Sequence, residues 1–402
     1  MSASISYNFQ WYESFVNIPL DEASWNSLAN SIVHPFFSWS WLRSLELSGS
    51  VSPETGWEPS HLVVWKDNRP LAAGIFYQRS TSWGELFFDF GWANAAQQLN
   101  LPYYPKMVGT IPATPAEGYN FLYSPHVGPL EKKALEILIL EEVEKKAWAD
   151  GMQQIAYLFL DEGLKQTLER QDYSPWVHHQ FRWENVGFEN FDSFLGTFTK
   201  NQRKNIRKER QAMKDQGIHI DFRSGDQVSV LDWERMYSFY DRTNSQFGPY
   251  AARFLNKTFF DLLGGSKPPY IILASARDGS SKEPLAMAFL GRSTEFIYGR
   301  YWGMREERTF LHFNLCYYAP QEYAIEEKIP YFDPGVGSFH KVRRGFKSKG
   351  VYSAHKFRDP KMTALFKSNI PRLNADALQD LEELNSQMPQ KREIINSDGG
   401  IE

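Results

Sequence analysis

The sequence predicts an α/β chain of two tandem domains of like design. Three observations carry that expectation. Short apolar runs of strand length alternate with stretches of helical periodicity. The order of elements (hairpin, third strand, helix, strand) occurs once in each half. Residues repeat along with it: Pro70-Leu71-Ala72-Ala73, Arg79-Ser80-Thr81 and Phe88-Asp89-Phe90-Gly91-Trp92 parallel Pro284-Leu285-Ala286-Met287, Arg292-Ser293-Thr294 and Tyr298-Gly299-Arg300-Tyr301-Trp302. A period of roughly 200 residues is too long for a solenoid and points to duplication of a domain.

In the first half, 61–65 and 71–77 are apolar runs around Lys66-Asp67-Asn68-Arg69-Pro70, whose turn formers predict a hairpin. Residues 85–90 are expected as the third strand. Helical spacing runs over 131–149, and 154–160 returns as a strand. Residues 191–213 are expected as one helix, because Phe191, Phe194, Leu195 and Phe198 recur at i, i+3, i+4 and i+7. The second half predicts strands at 270–276, 285–291 and 296–301, with a turn at 278–284. A helix at 311–327 and a strand at 330–332 follow. The domains accordingly fall at 1–175 and 176–372, the second including the basic helix. Residues 373–402 are expected as a short helix followed by a disordered tail.

Lys and Arg number 44 against 48 Asp and Glu, a net charge of −4, which excludes a generally basic nucleic-acid binder and leaves no case for DNA. Aromatic content of 16% supports large cores and apolar clefts. The single cysteine, Cys316, excludes a disulfide framework and a cysteine-rich metal site, and no metal is expected. The start, MSASISYNFQWYESF, lacks the basic and apolar regions of a secretory signal. No run approaches the ~20 apolar residues of a membrane span. A cytoplasmic protein is expected.

Chemistry concentrates in Tyr331-Phe332-Asp333-Pro334-Gly335-Val336-Gly337-Ser338-Phe339-His340-Lys341-Val342-Arg343-Arg344. A turn able to present backbone N–H groups beside Lys341, Arg343 and Arg344 suits an anion. His340 supplies an imidazole for proton transfer, and His355, on the next strand, is a second candidate base. Residues 200–210, KNQRKNIRKER, hold six basic side chains, with Arg203, Arg207 and Arg210 on one helical face that can meet phosphates. Arg300 lies between Tyr298 and Trp302 on one sheet face, placed to bind a carboxylate or phosphate. Asp89 in an apolar run needs a hydrogen-bond partner or a cleft, and with Trp92 and Tyr103 it can line an amine site. His312 and Cys316 stand four apart, a conceivable nucleophile pair, although Pro320 interrupts that helix. No serine-hydrolase elbow or metalloprotease spacing occurs.

Taken in order, FFSWSWLRSLELSG, GELFFDFGWANA with LPYYPKM, KNQRKNIRKER, YGRYWG with LHFNLCYY, and FDPGVGSFHKVRRGF resemble a bacterial FemAB-like family of the GNAT acyltransferase superfamily. The resemblance spans roughly residues 35–355. It implies two tandem GNAT-like domains, each a mixed, mostly antiparallel sheet flanked by helices. It also implies transfer of an acyl or aminoacyl group to a small-molecule or peptide amine. The donor would be acyl-coenzyme A, an acyl carrier protein or aminoacyl-tRNA. The glycine-rich pyrophosphate loop of coenzyme A-dependent relatives is missing, which favours the other donors. The alternative is a non-catalytic module that binds a peptide, a cell-wall fragment or tRNA.

Overall fold

In the computed structural model, residues 6–390 are described except 33, 249–251, 280–282 and 338. The end of the expected tail and part of the 278–284 turn lie outside the described residues. The chain forms two compact units that interleave in sequence. The first comprises Met1–His178, Phe254–Leu262 and Val351–Ala377; the second comprises His179–Arg253, Leu263–Gly350 and Leu378–Glu402. The segment after Gly350, expected in the second domain, instead returns to the first unit, because 351–357 completes its sheet.

The first unit holds an antiparallel sheet in the order Asn8–Tyr12, His61–Lys66, Arg69–Gly74, Leu122–Tyr123. A second sheet runs from residues 351–357 through Gln154–Tyr157 and Lys106–Gly109 to Phe76–Arg79 and Glu58–Pro59. Within it, Lys106–Gly109 and Gln154–Tyr157 are parallel. The expected strand at 71–77 is therefore two strands that switch sheets at Ile75. The apolar run at 85–90 does not form a strand. Gly84 and Leu86 take positive φ, which ends extension, and Asp89 opens the helix Phe90–Gln98. The helix Pro129–Ala149 forms as expected.

In the second unit, Ile218–Ser224, Ile271–Asp278, Ala286–Arg292 and Phe296–Met304 are antiparallel neighbours. Tyr331–Asp333 then pairs parallel to Phe296–Met304 and antiparallel to residues 183–184. Trp183, Phe194, Phe198, Ile297, Leu315 and Phe332 anchor the core beneath this sheet. Each such buried side chain contributes about 1.5–3 kcal/mol. The helix expected at 191–213 is two, Phe191–Gly196 and Lys200–Asp215. The apolar periodicity continues across the break, but Asn190 caps a short helix whose end carbonyls, Gly196 and Phe198, accept from Arg203. The terminal helix is longer than expected, Pro360–Ser386.

Candidate functional site

Two local irregularities shape the second unit's site. The antiparallel ladder pairs Leu290 with Gly299 and Phe289 with Tyr301, leaving Arg300 as the extra residue of a bulge. Bulges re-aim side chains, and here the Arg300 guanidinium is buried against Asp333. The parallel ladder lasts only from Phe296↔Tyr331 to Tyr298↔Asp333, after which the chain turns away at Pro334-Gly335. Gly335 has φ +79°, and a Cβ there would stand 2.9 Å from the Gly299 carbonyl oxygen, so the turn requires glycine. Past Tyr298 no strand pairs with that edge of Phe296–Met304 among the described residues. Gly303, by contrast, serves packing and not a ligand, because a Cβ there would strike the Phe239 backbone of the helix Val230–Ser245.

A buried charge cluster occupies this fork. Arg300 Nη2 donates to Asp333 Oδ2 at 2.8 Å and Nη1 to the Gly299 carbonyl at 2.8 Å. The Gly335 amide donates to Asp333 Oδ1 at 2.8 Å. Lys341, on the turn Phe339–Arg344, is 2% exposed. Its Nζ donates to the carbonyls of Gly335 at 2.6 Å and Val336 at 3.1 Å. Burial lowers the Lys341 pKa to about 8; Asp333 opposes that shift and the Arg300 charge adds to it. Lys341 is thus an ammonium that can lose its proton near neutral pH.

The other expected residues of this unit divide into occupied and exposed groups. Arg344 donates to both Glu209 oxygens at 3.0 and 3.2 Å, donates to the His340 carbonyl, and lies 3.4 Å over the Phe313 ring. Arg203 is engaged by the helix-end carbonyls, and Arg210 by Glu322 and the Phe191 ring. These three arginines are tied to protein partners and act as struts. Arg207 faces the exposed Asp192 at 3.7 Å. Arg343 is exposed, as is His340. Trp302 packs on His312 with ring centroids 4.5 Å apart. Burial, then the charges of Arg344, Lys341 and His340, lower the His312 pKa to about 4, so its ring is neutral at pH 7. Cys316 lies in a π-helical stretch, Asn314–Tyr318, immediately before Pro320. Burial raises its thiol pKa strongly, which opposes the thiolate a nucleophile needs.

Asp89, Trp92, Tyr103 and His355 belong to the first unit. Asp89 accepts from Tyr103 at 2.8 Å and Lys106 at 2.7 Å. Burial pushes the Asp89 carboxyl up, but Lys106 and the hydrogen bonds outweigh it and hold its pKa low. Lys106 also reaches Glu85 at 2.8 Å, and Glu85 pairs with Arg79. Trp92 packs between Trp176 and Phe366. His355 is buried; its ring nitrogens meet Gln154 and Ser353 at 2.7 Å each, and burial lowers its pKa to about 3. An imidazole so enclosed is a poor proton acceptor for a substrate. Sequence reasoning overlooked Asp333, Lys106 and Glu85 as partners. The available signal was the cost of an isolated buried charge, which obliges each one to find an opposite.

The fold is thus two units of mixed sheets with flanking helices, one of them with a parallel pair that diverges over buried charges. A family model described as peptidoglycan biosynthesis/recognition matches residues 17–392, and the chain belongs to this FemAB-like family. Among solved structures, FemX has the same fold at 12% identity and TM-score 0.51, covering 87% of this chain and 98% of that one. A conserved protein of unknown function from Bacteroides thetaiotaomicron gives 8% identity and TM-score 0.52 over 87% and 99%. No protein with a curated description matches the sequence. No described helix is long and apolar enough to cross a membrane.

Proposed function

We propose that the protein transfers an acyl or aminoacyl group to an amine of a peptidoglycan-type peptide, and that the second unit carries the reaction. The observation that carries this reading is Lys341, buried at a diverging parallel pair with a pKa near 8. In its neutral form Lys341 keeps both hydrogens on the Gly335 and Val336 carbonyls and leaves its lone pair for a substrate proton. The acceptor nitrogen bonds to the donor carbonyl carbon, the donor's C–S or C–O bond breaks, and the nitrogen's proton passes to Lys341. The leaving thiolate or alkoxide takes up a proton in turn, which Lys341 can return. This assigns the base to Lys341 in place of His340 and leaves His340 at the exposed rim.

The exposed Lys200, Lys204, Arg207 and Lys208 of the basic helix, with Arg343, supply cations for donor phosphates. Lys200, Lys204 and Lys208 lie at i, i+4 and i+8, a row better matched to a nucleic-acid backbone than to one pyrophosphate. Aminoacyl-tRNA is therefore the favoured donor. Purified protein incubated with a muropeptide and either aminoacyl-tRNA or acyl-coenzyme A, read by mass spectrometry, tests the reading. Lys341→Met should lower turnover by ~10²–10⁴-fold and His340→Ala by less than about tenfold. Near-normal turnover in Lys341→Met would remove the assignment. Thermal stabilisation by the muropeptide with no transfer from either donor would favour the binding-module alternative.

A further inference from the structure

The strand Ile218–Ser224 is the last of its sheet and pairs only with Ile271–Asp278 among the described residues. The two ends of that ladder fix the direction of its backbone groups. At one end the Gly279 amide donates to the Gly217 carbonyl at 3.1 Å; at the other the Gly225 amide donates to the Ile271 carbonyl at 2.8 Å. Both pairs keep the register that sets Ile218 opposite Asp278 and Ser224 opposite Ile272. Bonded and non-bonded pairs alternate along an antiparallel ladder, so His219, Asp221 and Arg223 bond inward. The amides and carbonyls of Ile218, Ile220 and Phe222 therefore face outward, along a side that no described strand covers.

Edge strands are commonly blunted by a lysine, a proline or a bulge. This one, IHIDFRS, has none of these, and its register runs without a shift. On one face Ile220 and Phe222 are half-buried against the core, with Phe222 stacked on Tyr323 at 4.7 Å. Arg292, beside Tyr323, is held by Glu327 at 2.8 Å. On the other face Asp221 meets Arg223 at 3.3 Å and Arg277 at 3.5 Å, while Arg223 meets Asp232 at 2.9 Å. The strand is complementary to itself about a two-fold axis at Ile220. Each Ile220 amide then meets the partner's Ile220 carbonyl, and Ile218 faces the partner's Phe222. His219 and Asp221, both exposed, come opposite each other in the closer, non-bonded kind of pair. Other axes fit worse. At Asp221 the two carboxylates would meet and His219 would face Arg223; at Phe222, Ile218 would face Asp226; at His219, the two imidazoles would meet.

We propose that Ile218–Ser224 pairs antiparallel with the same strand of a second copy, about a two-fold axis at Ile220, and joins two molecules into a symmetric dimer. Such a contact is isologous and closed, so it covers the edge in both copies and adds no third. The pairing is independent of the Lys341 chemistry, and either reading can fail alone. Sedimentation velocity of the full chain tests it. An edge-to-edge contact is small, so a concentration-dependent dimer with Kd on the order of 1–100 μM is expected. Ile220→Pro removes an outward amide, which an edge strand tolerates, and should weaken the dimer by roughly tenfold or more. His219→Asp, at an exposed position, sets like charges across the axis and should weaken it several-fold. An unaltered melting curve verifies folding of each. The register is read by cross-linking in a Cys316→Ser background. Oxidation of a mixture of His219→Cys and Asp221→Cys proteins should give a disulfide-linked dimer, and neither protein alone should. A monomer up to about 200 μM, well above that range, overturns the proposal. So does a dimer unchanged in both Ile220→Pro and His219→Asp, or cross-linking by one cysteine protein alone.

Discussion

The two units contain the same device, a parallel strand pair, and finish it in opposite ways. In the first unit the pair Lys106–Gly109 and Gln154–Tyr157 continues into further backbone contacts: Leu158 donates to Gly109, and Gly118 and Tyr119 both donate to Phe159. The buried Tyr119 hydroxyl donates to the Ile75 carbonyl at 2.6 Å. The carboxyl end of this pair is closed by the unit's own chain and aromatic rings, and its buried ions sit at the amino end, around Lys106. In the second unit the ladder stops at Tyr298↔Asp333, and Arg300, Asp333 and Lys341 occupy the carboxyl end. Ligands of α/β sheets commonly bind beyond the carboxyl ends of parallel strands. The carboxyl end of the parallel pair is thus filled with packing in one unit and with buried titratable groups in the other.

Beyond the rate loss expected for Lys341→Met, three changes probe this contrast. Asp333→Ala strands the Arg300 charge in the interior and should cost ~3–5 kcal/mol in urea unfolding. A loss under about 1 kcal/mol would mean that the pair is solvated. A pH series on Lys341 comes next. Its folded pKa, about 8, lies below the ordinary 10.5, so the unfolded chain binds the extra proton between those values. Stability should therefore rise with pH from about 8 to 10.5 by on the order of 3 kcal/mol relative to Lys341→Met, and this difference should be flat below pH 8. A parallel course in both proteins would refute the shift. The smallest effect belongs to the closed unit. In Gly109→Ala the new Cβ stands 2.7 Å from the Tyr119 hydroxyl oxygen and 2.8 Å from the Tyr157 ring, which should cost ~1–3 kcal/mol by overpacking. Transfer activity in the folded fraction should be unchanged.

Local patterning made most of the scaffold legible. The hairpin at 61–77, the helix near 131–149 and the antiparallel strands of the second half follow from periodicity and turn residues. The segment from Tyr331 to Phe346 was also visible, because glycines and clustered cations beside a strand are rare in cores. What escaped depended on distant partners. Nothing near Arg300 announces a bulge, which arises from the ladder to Ala286–Arg292. The run Phe87-Phe88-Asp89-Phe90 has strand composition, yet the Asp89 attachment to Lys106 and positive φ at Leu86 direct it into a turn. His340 and Lys341 are neighbours in sequence, and only burial distinguishes the rim imidazole from the inner amine.

The return of 351–357 to the first unit also sets a schedule for synthesis. Ala354 pairs with Tyr157, and until it leaves the ribosome the edge of Gln154–Tyr157 lacks this partner. At ~5–20 residues per second, the intervening chain takes on the order of 10–40 s to make. During that interval the nascent first unit carries an open strand edge, the feature that invites pairing with other chains. Completion of the first unit thus depends on translation of the second, and the order of folding need not follow the order of the sequence.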